Sequence, residues 1–412
     1  MQKNYSEKKA KKKFWSDFVS KSWERKPAHF KNAKLSILQL SEQQVFNWLV
    51  KYSDHCRKTK TALGIKFYID GESQYQNEVL QALPLKSDIS FLGYHKRISA
   101  IFSDYCLVCD ELIQVSGDAW HTLGEFTKGL YEKVGFPNRH AEIGLYLGNY
   151  KKTPFGVHVD GCSVFSIPIV GEKKFRLWTP AYVQQHPDLE MAFDYAKHLK
   201  KSTVMNARPG HLTYWPSSAW HIAESNGAFS ATWSIGIWVD QNYHDVVTET
   251  LQPLLFKKLK SDSTKKLIPF NDAIRKNGEI KALPPIMKRS AYEIAQLTKN
   301  ELHDLFMKKW LIISSMNGFK SAPGANTKLM LKVADTVCLA NTQQIAWAKL
   351  SSGILCIASQ GQLVELKNSK IATAFLIKLN SGKQIKVSSQ INNHFQILQL
   401  LYQTGQLQKT NS

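Results

Sequence analysis

The sequence predicts a mainly β fold with flanking helices: a barrel or sandwich of short strands, followed by a smaller basic α+β module. Three observations carry this expectation. Residues 142–240 read as short alternating runs punctuated by Gly, Pro and Asn, over 142–147, 156–160, 163–169, 173–178, 210–215 and 229–239. Before this stretch apolar residues recur at helical spacing, and after Asp240 the composition shifts toward Lys. The chain has 412 residues, 43% of them hydrophobic and 11% aromatic, enough for a large core and more than one domain.

In chain order, residues 1–13 form a lysine-rich arm that cannot bury apolar surface and is expected to be disordered. Phe14, Trp15, Phe18, Val19 and Trp23 then mark a helix that ends near Lys26-Pro27. Residues 40–135 mix helices, such as 42–52 and 119–134, with short strands. A helical insertion is expected over 181–200, carried by Tyr182, Leu189 and Tyr195. The strand-bearing domain thus spans 14–256, and residues 257–290 form a linker. The last domain, 291–412, opens with a helix over 291–307 and continues with strands over 353–358, 361–366 and 384–388 and helices over 370–379 and 393–405. Short helices, a β-ribbon and a basic surface suit a winged-helix-like module.

The net charge of +21 is unevenly spread. Residues 1–34 carry 11 Lys/Arg against 3 Asp/Glu, residues 257–412 carry 23 against 8, and residues 35–256 carry 20 against 22. Basic flanks suit a polyanionic neighbour such as ribosomal RNA, or simply a solvated surface. Six scattered cysteines fit a reducing compartment, and Cys106 and Cys109 read as packing residues without a second pair for zinc. No apolar run approaches the roughly 18 residues of a membrane span, and the N-terminus lacks a secretory stretch, so a cytoplasmic protein without membrane attachment is expected.

In Gly156-Val157-His158-Val159-Asp160 an imidazole and a carboxylate stand two apart, on one face of an extended segment. The triplet alone is weak. Downstream, Arg208-Pro209-Gly210 opens a strand that leads through Pro216 to His221, the candidate third ligand. Two His and one carboxylate leave half of an octahedral ion open, as non-heme iron(II) requires for a bidentate 2-oxo acid and O2. His211 is read as a bystander in the Pro-Gly turn. Along 171–178, alternation groups Lys173 with Phe175 and Leu177 and leaves Lys174 and Arg176 opposite. An inward lysine calls for an anion, for which the distal carboxylate of 2-oxoglutarate is a natural choice; with the opposite parity it is simply exposed.

These residues carry a resemblance. Thr153-Pro154-Phe155-Gly156-Val157-His158-Val159-Asp160, Gly171-x-Lys173 and Pro216-x-x-x-x-His221 look like the motifs of Jumonji C (JmjC) oxygenases of the cupin superfamily, and Trp23-Glu24-Arg25-Lys26-Pro27 resembles their entry segment. The likeness covers about residues 14–240. It implies a double-stranded β-helix (jelly-roll) core, Fe(II) on His158, Asp160 and His221, and 2-oxoglutarate held by Lys173 with Thr153 and Ser234 nearby. Two extra residues separate Thr153-Pro154 from the His, a departure from the usual Thr-Pro-x-His. With the basic C-terminal module, the chain is similar to ribosomal oxygenases, which implies hydroxylation of a protein or peptide side chain, a homodimer, and ribosome or RNA contact through the basic arm and C-terminal domain. Lysine demethylation is less favoured, for no reader module is visible. Two other readings compete: a non-oxidising cupin that binds metal or ligand, disfavoured by H-x-D in place of H-x-H, and an RNA-associated binding protein with the barrel as scaffold.

Overall fold

The computed structural model describes residues 2–412 except 63, 138–139, 226, 241–242, 260–274, 277–278, 281–282, 284, 321–330, 341–342, 393–394 and 411–412. It divides into two compact units, residues 1–241 with 316–326 and residues 242–315 with 327–412.

The first unit begins with α1 (Gln2–Lys21), β1 (Ala28–Phe30), α2 (Glu42–Thr59), β2 (Ile65–Ile69), β3 (Glu72–Ser73), α3 (Gln76–Ala82), α4 (Phe91–Ser99), β4 (Tyr105–Cys109) and α5 (Gly117–Val134). The strand-rich part follows, with β5 (Glu142–Gly148), β6 (Cys162–Val170), β7 (Lys173–Trp178), α6 (Pro180–Gln185), β8 (Thr203–Ala207), β9 (Leu212–Trp215), β10 (Trp220–Glu224) and β11 (Ser230–Trp238). Two antiparallel sheets result, one of eight strands in the order β1-β9-β6-β11-β5-β4-β2-β3 and one of three in the order β10-β7-β8. This is the two-sheeted jelly roll that the strand pattern and the motifs anticipate.

The helices cover the outer face of the large sheet, where Trp15 and Phe18 of α1 and Phe126 of α5 pack on Phe165, and Leu145, Ile167, Trp233 and Ile235 extend the core. Between the sheets a second cluster forms from Val164 of β6, Phe175 and Leu177 of β7, Met205 of β8 and Trp215 of β9. The entry segment is tied down by Glu24, whose carboxylate accepts from the hydroxyls of Ser163, Tyr214 (3.1 Å) and Ser217 (2.5 Å). Cys106 and Cys109 lie buried in β4 as packing residues.

Several expectations are corrected. The arm over 1–13 is not separate from the fold: residues 2–13 continue α1, because Lys, Ala and Glu propagate a helix whose apolar end is already docked. The insertion over 181–200 is no continuous helix. Thr179 caps α6 with Pro180 at its first position, and Pro187 stops it, leaving two 3-10 turns over Pro187–Leu189 and Ala196–Lys201.

The second unit holds α7 (Tyr243–Leu259), β12 (Arg275–Lys276), β13 (Glu279–Ile280), α8 (Pro285–Ala295) and α9 (Lys299–Ser315). Then come β14 (Thr336–Leu339), β15 (Ala346–Lys349), β16 (Ile354–Ser359), β17 (Gln362–Lys367), α10 (Lys370–Asn380), β18 (Ile385–Lys386), α11 (Ser389–Asn392), α12 (Phe395–Gln403) and β19 (Leu407–Thr410). The break after 241 puts α7 in this unit, not in the domain expected over 14–256, and residues 316–326 return to the first unit. The expected linker lies largely outside the described residues. The helix expected over 291–307 is two helices, because Thr298 and Glu301 form a capping box that starts α9: Thr298 N–H donates to Glu301 Oε2 at 2.9 Å and Glu301 N–H to Thr298 Oγ1 at 3.2 Å. The strands form two three-stranded sheets, β18-β14-β19 and β15-β16-β17, with the core of the first closed by α10, α11 and α12.

Candidate metal centre

His158 and Asp160 lie between β5 and β6, and His221 is the second residue of β10. The strand expected over 156–160 is a loop held by one bridge, in which His158 N–H donates to His221 O at 3.0 Å and His221 N–H to His158 O at 2.8 Å. The alternation survives without the strand. Val157 is buried against the outside of the small sheet, while His158 and Asp160 turn into the cavity between the sheets. Gly156 makes this possible at φ 67°, where an added Cβ would sit 2.5 Å from Met191 O.

Asp160 Oδ1 is 3.3 Å from His158 Nε2, and its Oδ2 is 3.3 Å from His221 Nε2. Candidate donor atoms of all three lie within 4.8 Å of one another. Each imidazole is oriented through its other nitrogen, His158 Nδ1 on Gly156 O at 3.0 Å and His221 Nδ1 on Ala219 O at 3.2 Å. That leaves both Nε2 atoms facing the carboxylate, where each can exchange its proton for a metal ion while Nδ1–H stays on a backbone carbonyl. Burial disfavours the charged forms of both Asp160 and His158, but their hydrogen bond and mutual charge prevail. Asp160, helped also by His221, is held well below the usual carboxylate range, and His158 is raised above the usual imidazole value.

The other candidates share this cavity: Thr153, Lys173 and Ser234 line it with the three ligands. The inward parity of Lys173 holds, since Lys173, Phe175 and Leu177 are buried while Lys174 and Arg176 lie on the opposite face and pair with Glu224. Gly171, at φ 70° and with its Cβ direction blocked by Phe229 O at 2.3 Å, sets the turn that fixes this register. Lys173 Nζ is hydrogen bonded to Tyr150 Oη, and no carboxylate pairs with it among the described residues. Burial pushes its ammonium down to about 7, against a weak opposing pull from Cys106. His211 lies apart, its Nδ1 3.0 Å from His29 Nε2.

Two participants escape the sequence reading, Ser166 and Thr232, and Tyr150, an aromatic that could wall the cavity or join the core, is not expected from sequence as the hydrogen-bond partner of Lys173. The hydroxyls of Ser166 and Thr232 are buried on the cavity wall with no hydrogen-bond partner among the described residues. The available signal was parity, because Ser166 and Ser234 are register partners on β6 and β11, and Thr232 stands two before Ser234. The donor set and the cavity fit the group the motifs imply: two imidazoles and a carboxylate converge for a metal, and a buried amine with two unsatisfied hydroxyls awaits an anion.

Residues 131–246 match the family model of the JmjC domain. The chain as a whole resembles in fold the X-ray structure of E. coli YcfD, at 12% identity and a TM-score of 0.52, with 96% of this chain and 98% of that one covered. Two further YcfD structures, described as a ribosomal oxygenase from Escherichia coli in complex with cobalt and either 2-oxoglutarate or succinic acid, align over the same shares at 12% identity and a TM-score of 0.50. At that identity the likeness carries the fold alone. No curated protein matches the sequence. Among the described residues no helix is long and apolar enough to cross a membrane.

Proposed function

We propose that the chain is an Fe(II)- and 2-oxoglutarate-dependent oxygenase that hydroxylates a side chain of a protein or peptide. One observation carries the reading: a His-Asp-His cluster and a buried lysine with no carboxylate partner among the described residues line the same cavity. The JmjC match over 131–246 and the YcfD structure in complex with cobalt and 2-oxoglutarate support it. When bound, the metal and 2-oxoglutarate supply the oxidising power, drawn from O2 with loss of CO2, that attacks a C–H bond.

The chain's own residues have simpler tasks. His158, Asp160 and His221 hold the metal, with Gly156 O and Ala219 O keeping both imidazoles in the binding tautomer. Lys173 holds the far carboxylate of 2-oxoglutarate, and Thr153, Ser166, Thr232 and Ser234 offer it hydroxyls. Phe155, Phe175 and Trp215 line the same space and limit water. The test is anaerobic addition of Fe(II) and 2-oxoglutarate to metal-free protein. The weak visible charge-transfer band of the chelate is expected in wild type and reduced or lost in Asp160→Ala and Lys173→Ala. A folded, iron-binding wild type without the band would favour a non-oxidising cupin.

For partners, the ribosomal oxygenase description of YcfD and the basic surplus of residues 257–412 favour a ribosomal protein substrate met on or near RNA. The winged-helix-like reading of residues 291–412 rests on α10, α11 and α12 against the three-stranded sheet β18-β14-β19. A homodimer is supported by exposed apolar side chains on α7, α8 and α9, with Phe256 67%, Tyr292 61% and Trp310 50% accessible. Light scattering at working concentration checks it, and a monomer would remove it.

A further inference from the structure

We propose that the cavity takes up its dicarboxylate ligand together with a proton, with Lys173 accepting the proton and Tyr150 acting as a positioning residue. The inference rests on the oxygenase reading above and concerns what this chain's own lysine does when the ligand arrives.

Every element packed around Lys173 contributes to the argument. Tyr150, from the loop after β5, is its hydrogen-bond partner, and its ring centroid lies 3.8 Å from Nζ. Cys106 faces it from β4, and Tyr146 of β5 lines the same cavity. Its cross-strand partner on β8 is Ala207, and Ser166, Thr232 and Ser234 on β6 and β11 bring no titratable group. Burial raises the pKa of Cys106, Tyr146 and Tyr150, so all three are neutral near pH 7. Asp104, just before β4, acts on Cys106 and Tyr150, while Asp110, Asp160 and Glu142 act on Tyr146. Asp160 shares the cavity, but its carboxylate is bonded to His158 and His221 and forms no ion pair with Lys173. Among the described residues no carboxylate thus pairs with an amine that is only 2% exposed. A buried ammonium in that position sheds its proton, and the phenol of Tyr150 holds the amine in place.

A carboxylate entering beside Ser166 and Thr232 changes the balance. The amine takes one proton from solvent, becomes an ammonium, and forms a charge-assisted pair with the carboxylate; no other bond is made or broken. By linkage, proton and dicarboxylate each strengthen the binding of the other. Above the pH at which the free lysine is neutral, each further pH unit weakens dicarboxylate binding by about tenfold, until the ligand-bound lysine itself loses its proton.

The experiment is titration calorimetry of the full chain loaded with manganese(II), with 2-oxoglutarate as the probe, between about pH 6 and 9 and in two buffers of different ionisation enthalpy at each pH. Wild type is expected to take up close to one proton per ligand at the alkaline end and little at the acid end, with Kd rising in step. Lys173→Arg keeps its charge at every pH, so its binding should show no such uptake, and subtracting it removes protons exchanged at the metal. Should the guanidinium not fit, Lys173→Met serves, and the alkaline uptake should vanish with it. Tyr150→Phe should move the midpoint of the profile to lower pH, because the ammonium loses an acceptor; a merely structural tyrosine would leave the midpoint unmoved. Binding by wild type with no proton uptake and a constant Kd would overturn the coupling alone. No binding of 2-oxoglutarate at any pH would overturn the oxygenase reading, and this inference with it.

Discussion

On β6, Phe165 and Ile167 point to the helices while Ser166 between them points into the cavity; on β11, Trp233 and Ile235 do the same around Ser234, with Thr232 beside it. The same strands thus carry an aromatic core on one side, where the indole N–H groups of Trp15 and Trp233 lack a partner among the described residues, and the unsatisfied hydroxyls of Ser166 and Thr232 on the other. The outer face contributes stability through buried area. The inner face gives stability up, since a buried hydroxyl without a partner costs about 1–3 kcal/mol, and such a cost is tolerated where a ligand supplies the partner. Neighbouring residues of one strand therefore answer to different demands, and substitutions one residue apart should separate folding from binding.

The largest effect is expected on the outer face. Phe165→Ala removes a ring that meets Trp15, Phe18, Phe126 and Tyr214, and should cost about 3–5 kcal/mol of stability, read from the urea midpoint. A loss below about 1 kcal/mol would mean that this face is not where the fold is held. Next, His221→Ala should weaken divalent-metal binding by more than about 100-fold, since groups that only support a ligand already contribute about 10–100-fold. Its thermal midpoint should stay near wild type, and a parallel collapse of the fold would break the separation of the two faces.

Lys173→Met sharpens the comparison from the inner face. The folded protein holds this lysine at about 7, below its ordinary 10.5, so the unfolded chain binds more protons between those values. Its contribution to stability therefore rises with pH across that window, and the full penalty is present below about pH 7. The variant should be the more stable protein at neutral pH and should lack that slope, which approaches about 1.4 kcal/mol per pH unit at its steepest in wild type. Equal pH profiles for the two would show that another group compensates the amine. The smallest effect is that of His211→Ala: His211 is buried with His29 beside it but does not line the cavity, so the change should alter metal affinity by less than about twofold, as for sites that share no partner. A larger loss measured by metal titration would return His211 to the ligand candidates.

The sequence by itself determined what short-range chemistry can specify. The period-two runs of residues 142–240 set the strands, the spacing of His158 and Asp160 put both on one face even without a regular strand, and the alternation Lys173, Phe175, Leu177 set an inward lysine. Resemblance to JmjC motifs brought in Thr153 and Ser234, and both line the cavity. Local signals were also present where the reading went astray, as with the Thr298-x-x-Glu301 box that divides α8 from α9 and the Pro187 that stops α6.

Only the tertiary structure decided which distant groups meet. His221 joins His158 through a single bridge across 63 positions, given by their numbers, and that pairing depends on the small sheet closing over the large one. Tyr150, Ser166 and Thr232 carry no motif, and each could equally face solvent, core or cavity. Which it faces is settled by strand register and by the packing of two sheets, terms that sum over many long-range contacts and that no local stretch of chain contains.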